Sequence, residues 1–333
     1  MIKKEIPDII FCGAIPAQTL ARIELNPMTG KVYNAEDTWK MALDPQKWLI
    51  THNAKPVTKE GFQSWFYSQH PYGGKLENGY DRRNVSAYFP DITNPDFQEL
   101  LLSWAKKQID CGVDAIWIDM LYHQVNLLAR LTGDLKHPAI KETFAAAVKI
   151  VEEIHKYGKL QGRHIYVGSW AGPFVVSEAM GRKLSYAPPE VDFITVTPNN
   201  QELENMQLNN KIWDKLIPAV KKIHGAIPVF AFMDWAFDMS QTVVFSQKLT
   251  AEEQREVLKT FDKSFGQMGV NFAYPVHGGY MGRGDITKKL SFGKFRIYDS
   301  LAPEFDTYKA IKELAVKKTR LSRYSDDKNV NRQ

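Results

Sequence analysis

The stretch AYFPDITNPDFQELLLSWAKKQIDCGVDAIWIDM, residues 87–120, contains a passage through a helix into a strand. Asn94 before Pro95 reads as an N-cap followed by the favoured first-turn proline. Phe97, Leu100, Leu101, Trp104 and Ile109 fall on one helical face, and Gly112 supplies the stop. Ala115 to Ile118 then run apolar without alternation, as a parallel strand covered on both faces does. The run ends on a carboxylate, Asp119. A half-buried acid costs free energy unless it is paired or hydrogen-bonded. Folding does not require it there, so the position calls for a functional reading.

The same alternation extends along the chain. Apolar runs fall at residues 8–16, 47–53, 85–92, 114–120, 164–170, 192–199, 227–235 and 271–277. Amphipathic segments separate them. One helix is predicted from about Ala139 to Tyr157 and closed by Gly158. Another starts at a Thr250–Glu253 capping box and stops at Gly269. Residues 201–224 are helical with a kink expected at Pro218, and a last helix covers about 304–318. Eight strands with intervening helices predict a (β/α)8 TIM barrel, an α/β fold, in one domain over residues 1–318. Long loops follow strands 1 and 2, at residues 17–46 and 54–84. The first of these carries a small hairpin around Met28-Thr29-Gly30. The rival doubly wound sheet asks for a glycine-rich first turn, and Gly13-Ala14-Ile15-Pro16 is not that pattern.

Bulk properties exclude several classes. The chain has 333 residues, 44% of them hydrophobic, enough for a large core. Much of the net charge of +5 comes from the basic stretch 317–323. Residues 319–333 read as a disordered tail. No aromatic residues interleave with basic runs, so no nucleic-acid partner is expected. No run reaches the ~18 apolar residues of a membrane span. The two cysteines, Cys12 and Cys111, form no metal-binding pair and no disulfide framework. Glu5, Pro7 and Asp8 interrupt the N-terminal apolar run and make a poor signal peptide. A cytoplasmic protein is expected, or a secreted one if a signal has been removed.

In a barrel the catalytic face is built at the C-terminal ends of the strands. Those ends carry His52 and Asn53, Asp91, Asp119 with Tyr122 and His123, Ser169 and Trp170, Thr197 and Asn199, Asp234 and Trp235, and Tyr274 and His277. Acids, amides, imidazoles and indoles on one rim suit a carbohydrate substrate. Flat rings cover the C–H faces of sugars, and polar groups hold the hydroxyls. Two acids in one cleft can divide the labour of glycoside hydrolysis. Asp119 is the expected nucleophile or charge stabiliser, and Asp234 the acid/base. His52, Tyr122, Trp170, Asn199, Trp235 and His277 are the expected substrate-binding residues. Asp91, in DITNP, reads first as fixing a turn. Glu178, eight residues past Trp170, reads first as exposed. Each is an alternative second acid.

The segment 87–120 resembles barrel glycoside hydrolases of the α-galactosidase-like and endo-α-1,4-polygalactosaminidase-like groups. There an extended segment ends in Asp, a "TNP" opens a helix, and "GvDgiwlD" forms strand four. The resemblance implies that Asp119 matches the strand-four aspartate, the nucleophile in α-galactosidase-like enzymes. Two departures stand out. Those enzymes carry a lysine where this chain has Trp117, and they place an acid after strand six, where this chain has Thr197-Pro198-Asn199-Asn200. In the α-amylase-like pattern, Asp119 and Asp234 match the first and third acids, and none follows Trp170 directly.

Other chemistries fit less well. His52, His123, His277, Asp119 and Asp234 lack metal-site spacing, so no metal and no cofactor is expected. GSWAG, residues 168–172, lacks the spacing of a nucleophile elbow. GGYMGRG, residues 278–284, is a glycine-rich loop that with Arg283 offers an alternative, a phosphate-binding barrel. A carbohydrate-binding barrel without turnover is the third reading.

Overall fold

The computed structural model describes residues 9–69, 81–83, 85–171, 190–234, 241–278 and 298–318. The chain divides into two compact units: residues 1–195 with 215–227, and residues 196–214 with 228–333.

The first unit is built on parallel strands β1 (Cys12–Pro16), β2 (Ala115–Asp119), β3 (Tyr166–Trp170) and the first three residues of β4 (Phe193–Val196). Cys12 to Pro16 stand opposite Ala115 to Asp119 in order. Ala115 to Ile118 stand opposite Tyr166 to Ser169, and Gly168 to Trp170 opposite Phe193 to Thr195. The strands add in sequence order without reversal. A doubly wound sheet reverses its order at a switch point, so this unit winds one way, as barrels do.

Register sorts the side chains onto two faces. One carries Ile15, Ile116, Ile118, Val167, Ser169 and Ile194, all at most 1% exposed. The helices of this unit are α1 (Ala35–Met41), α2 (Lys59–Gln69), α3 (Pro95–Asp110), α4 (His123–Thr132) and α5 (Pro138–Leu160). Of these, α3 packs against β1 and α5 against β3. The opposite face carries Trp117, Asp119, Gly168, Trp170, Phe193 and Thr195. Here the Phe193 ring lies where a Cβ on Gly168 would stand, so glycine is needed for close approach.

In the second unit, β5 (Val229–Ala231) pairs in parallel with β6 (Asn271–Phe272). The Phe232 N–H donates to the Val196 carbonyl at 3.1 Å, and the Ala273 N–H to the Ala231 carbonyl at 2.8 Å. Six parallel strands are therefore described among the eight expected. Among the described residues the fold is α/β, with parallel strands and helices.

Two expected strands are something else. A 3-10 helix capped by Asp44 spans Pro45–Trp48 and takes in the start of the 47–53 segment. Thr51–His52 pairs antiparallel with Lys55–Pro56. Asn53 and Ala54 take φ of 50° and 60°, turning the chain back after two residues. In the 85–92 segment, Leu20–Ala21 pairs antiparallel with Ala87–Tyr88. Pro90 has no N–H with which to continue a ladder. The side chain of Gln63, 2% exposed, replaces it. Its Nε2 donates to the carbonyls of Leu43 and Phe89 at 3.1 and 2.9 Å, and its Oε1 accepts from the Phe89 N–H at 2.8 Å.

Several local expectations hold. The hairpin Glu24–Leu25 with Val32–Tyr33 forms around Gly30, at φ 75°. Asn94 accepts from the N–H groups of Asp96 and Phe97 at the start of α3. The Thr250–Glu253 capping box starts helix Ala251–Gln267. Others shift. Gly158 lies inside α5, where a Cβ would press on Ile165. Helix α6 (Asn200–Glu204) ends before Met206, at φ 52°, and α7 (Asn210–His224) runs through Pro218. The break thus falls at Met206. The last helix covers 308–318, and residues 319–333 lie outside the described residues. Among the described residues no helix is long and apolar enough to cross a membrane.

Two stability measurements check this packing. Gly168→Ala forces a methyl into the Phe193 ring and lowers stability by ~1–3 kcal/mol in urea unfolding. Gly266→Ala, helical and facing open space, raises it by ~0.5–1 kcal/mol. Burial pushes the His224 imidazole down to about 4. The unfolded chain, at about 6.5, takes up that proton first. Stability is therefore lost as pH falls from about 6.5 toward about 4, and His224→Gln flattens that part of the melting-temperature profile.

Candidate functional site at the strand tips of the first unit

Asp119 is the last residue of β2 and is half-buried. Its carbonyl accepts from the Ala17 N–H at 3.0 Å, which fixes the tips of β1 and β2 together. Met120 takes a φ of 57°. The His123 N–H then donates to the Met120 carbonyl at 2.9 Å as α4 begins. The chain thus turns from strand to helix within four residues and holds Asp119 at the edge.

Trp117 lies two residues before Asp119 and so on the same face. Its indole N–H donates to Thr195 Oγ1 at 2.9 Å, across the intervening β3. Gly168, opposite Trp117 in register, has no side chain to obstruct that reach. Trp170 stands opposite Thr195. The edge therefore brings one carboxylate, two indoles and one hydroxyl onto one face of three adjacent strands.

His123 Nδ1 and Gln18 Oε1 lie 2.6 Å apart. With Gln18 oriented so, Nδ1 carries the proton, because an amide oxygen only accepts. The rings of Phe89 and Phe66 meet the imidazole edge-on at 5.6 and 6.0 Å. The start of α4 is anchored by its next residue. Gln124 Nε2 donates to Asp91 Oδ1 at 3.0 Å and to Thr143 Oγ1 at 3.2 Å, while Gln124 Oε1 accepts from the Ile92 N–H at 2.8 Å. Asp91, 5% exposed, also accepts from the Thr93 N–H at 2.9 Å, the Thr93 hydroxyl at 2.6 Å and Lys47 Nζ at 3.3 Å. Its oxygens are engaged in holding the turn into α3, the structural role its sequence context suggests.

The remaining expected residues scatter. Tyr122 is 1% exposed and packs on Phe144 at 6.4 Å between ring centres. Burial pushes its phenol well above the usual range. It is a core residue, because the turn at Met120 sends the chain inward before α4. His52 is exposed on the short hairpin, with Nδ1 3.3 Å from the Leu131 carbonyl. It is not on a parallel strand. In the second unit, Asn199 caps α6, accepting from the Glu202 N–H at 2.9 Å. Asp234 follows β5, half-buried, and its carbonyl accepts from the Thr242 N–H at 2.9 Å. His277 is exposed in the His277–Gly278 and Tyr298–Asp299 pair, with Nδ1 4.0 Å from Asp299. Trp235, Glu178 and residues 279–284, including Arg283, lie outside the described residues. Among the described residues no three His, Cys, Asp or Glu side chains gather as a metal site.

Sequence reasoning missed Gln18 and Thr195. Gln18 follows the tip of β1, where attention to strand ends would find it. Thr195 carries no signal of its own, since its role depends on an indole two strands away. Among the described residues of 17–114 no parallel strand is added, and Asp119 ends the second of the described parallel strands.

No family model matches the sequence, and no curated protein does. Among solved structures, the chain is similar to the hyperthermophilic beta-glucosidase from Pyrococcus furiosus, at 13% identity and a TM-score of 0.31, covering 83% of this chain and 67% of that one. It is also similar to a beta-glucosidase mutant derived from a hyperthermophilic tetrameric structure, at 12% identity and a TM-score of 0.29, with the same coverage.

The buried turn gives a measurable expectation. Asp91→Ala strips an acceptor from Gln124, Thr93 and Lys47. It lowers stability by ~2–4 kcal/mol in denaturant unfolding, as loss of a buried hydrogen-bonded charge does.

Proposed function

We propose that this protein cleaves glycosidic bonds, with Asp119 as the carboxylate that attacks or stabilises the oxocarbenium-like centre. The observation that carries the reading is the shared face of Asp119, Trp117 and Trp170 at the strand tips. A half-buried carboxylate holds its charge in a poorly screened setting, where it stabilises a developing cation more strongly than in water. The Trp117 indole, tied to Thr195, offers a fixed flat surface. Such surfaces cover the apolar face of a sugar ring at little entropic cost. Gln18 and His123 add an amide and an imidazole near the same tips, suited to hydroxyl groups.

Hydrolysis also needs a proton on the departing oxygen. Asp234 is the candidate donor from the sequence pattern alone, and its assignment is tested separately from that of Asp119.

The test is turnover of a panel of aryl glycosides and natural polysaccharides. Asp119→Asn keeps the shape of the side chain and removes its charge. It is expected to lower kcat on any accepted glycoside by on the order of a thousandfold or more, with folding unchanged. Unchanged turnover removes Asp119 from the chemistry. Asp234→Asn separates the second role. A lost proton donor slows substrates with poor leaving groups far more than activated nitrophenyl glycosides. Equal slowing of both classes counts against Asp234 as the acid.

A further inference from the structure

We propose that a cavity beside the start of β3 binds the phosphate of a small phosphomonoester. This site lies at the other end of β3 from Trp170 and does not rest on the glycosidase reading. The cavity has a volume of about 490 Å³ and is lined by His155, Lys156, Lys159, Gly162, Arg163 and His164. Five of these six residues are basic, and all six come from the end of α5 and the turn into β3.

The arrangement exceeds what the turn needs. Backbone groups already close the helix: the N–H groups of Gln161 and Arg163 donate to the Gly158 carbonyl, each at 3.0 Å, and that of Gly162 to the Lys159 carbonyl at 3.0 Å. These bonds cover carbonyls that would repel an anion. Arg163 donates to the carbonyls of Ile109 and Val113 at 2.6 and 3.3 Å, which anchors its guanidinium in place.

Two imidazoles converge on one carboxylate behind the cavity. His155 Nε2 and His164 Nε2 lie 2.8 and 3.2 Å from Asp192, whose Oδ2 also accepts from the Val167 N–H at 2.7 Å. An ionised carboxylate only accepts, so both Nε2 atoms carry protons, and each ring offers an Nδ1–H to an anion when it is protonated to the imidazolium. The rings stack at 5.7 Å with 20° between planes. Lys156 is shared with Glu153 at 3.3 Å. Lys159 has no ion-pair partner among the described residues. Among the described residues the carboxylates bonded to these side chains are Asp192, held by the histidines, and Glu153, held by Lys156. None lines the cavity itself.

Tetrahedral oxyanions suit converging lysine, arginine and imidazolium donors. The volume exceeds that of a lone phosphate and falls in the range of small-molecule sites. The Tyr166 ring meets His164 edge-on at 4.7 Å and is partly exposed. It stands beside the lining residue His164, where the organic part of an ester would extend from the cavity. These features select a phosphomonoester over free phosphate.

The test follows the imidazole resonances of His155 and His164 in the full chain during titration with inorganic phosphate, a hexose phosphate, a nucleoside monophosphate and chloride at matched ionic strength. Saturable shifts with phosphate, tighter binding of at least one ester and no saturation with chloride support the site. The exposed Lys159→Gln variant is expected to keep its melting temperature and to weaken ester binding about tenfold, the worth of a charge-assisted hydrogen bond. Shifts that track ionic strength alone, esters no tighter than phosphate, or unaltered binding by Lys159→Gln overturn the proposal.

Discussion

The parallel pairing of Cys12–Pro16 with Ala115–Asp119 is the constraint on which the rest of the first unit depends. Parallel strands need a crossover, and here the chain between them is residues 17–114. Closing so long a loop costs entropy that grows only slowly with length. What offsets it is the dry face of Ile15, Ile116 and Ile118, packed beneath helices. Once the register is set, Asp119 stands at a strand tip beside Pro16, and Ala17 locks the two tips. Sliding by one residue would send Asp119 into the buried face and an isoleucine to the edge.

In the described part of the long excursion, buried polar side chains join short antiparallel pairs in organising the chain. Gln63 completes the backbone hydrogen bonding that Pro90 interrupts. Asp91 gathers Thr93, Gln124 and Lys47 about the turn into α3. Gln124 belongs to α4, so the same cluster fixes the helix that carries His123. Structural and candidate functional residues are therefore coupled through a few hydrogen bonds in a setting of low dielectric, where each is strong and costly to leave unmade. This gives Asp91 a role without placing it in the chemistry.

The two ends of β3 present different chemistry for a simple reason. The tip side receives loops from several strands and gathers one acid with indoles. The start side is met by the end of α5, where lysine and histidine complement the helix terminus. The basic cavity grows out of that preference, with Asp192 orienting the imidazoles.

Much of the local structure was legible in the sequence. The cap at Asn94, the capping box at Thr250, the hairpin at Gly30 and the apolar strands at 115–119 and 166–170 follow from short-range rules. Segments 47–53 and 85–92 misled because an apolar run does not reveal its length as a strand. A left-handed pair at Asn53–Ala54 cut one short, and Pro90 the other. Likewise Tyr122 and Asn199 sit at plausible strand-end positions, yet one turns into the core and the other caps a helix.

By itself the sequence determined the α/β character, most helix boundaries and the location of Asp119 at a strand tip, because these depend on periodicity and on groups a few residues apart. Tertiary structure decided which strands are neighbours, that Asp119 stands opposite Pro16 at paired strand tips, that Trp117 reaches Thr195 over Gly168, and that His155 and His164 share Asp192. Those facts rest on register and packing between segments distant in the chain, and no local pattern of residues encodes them.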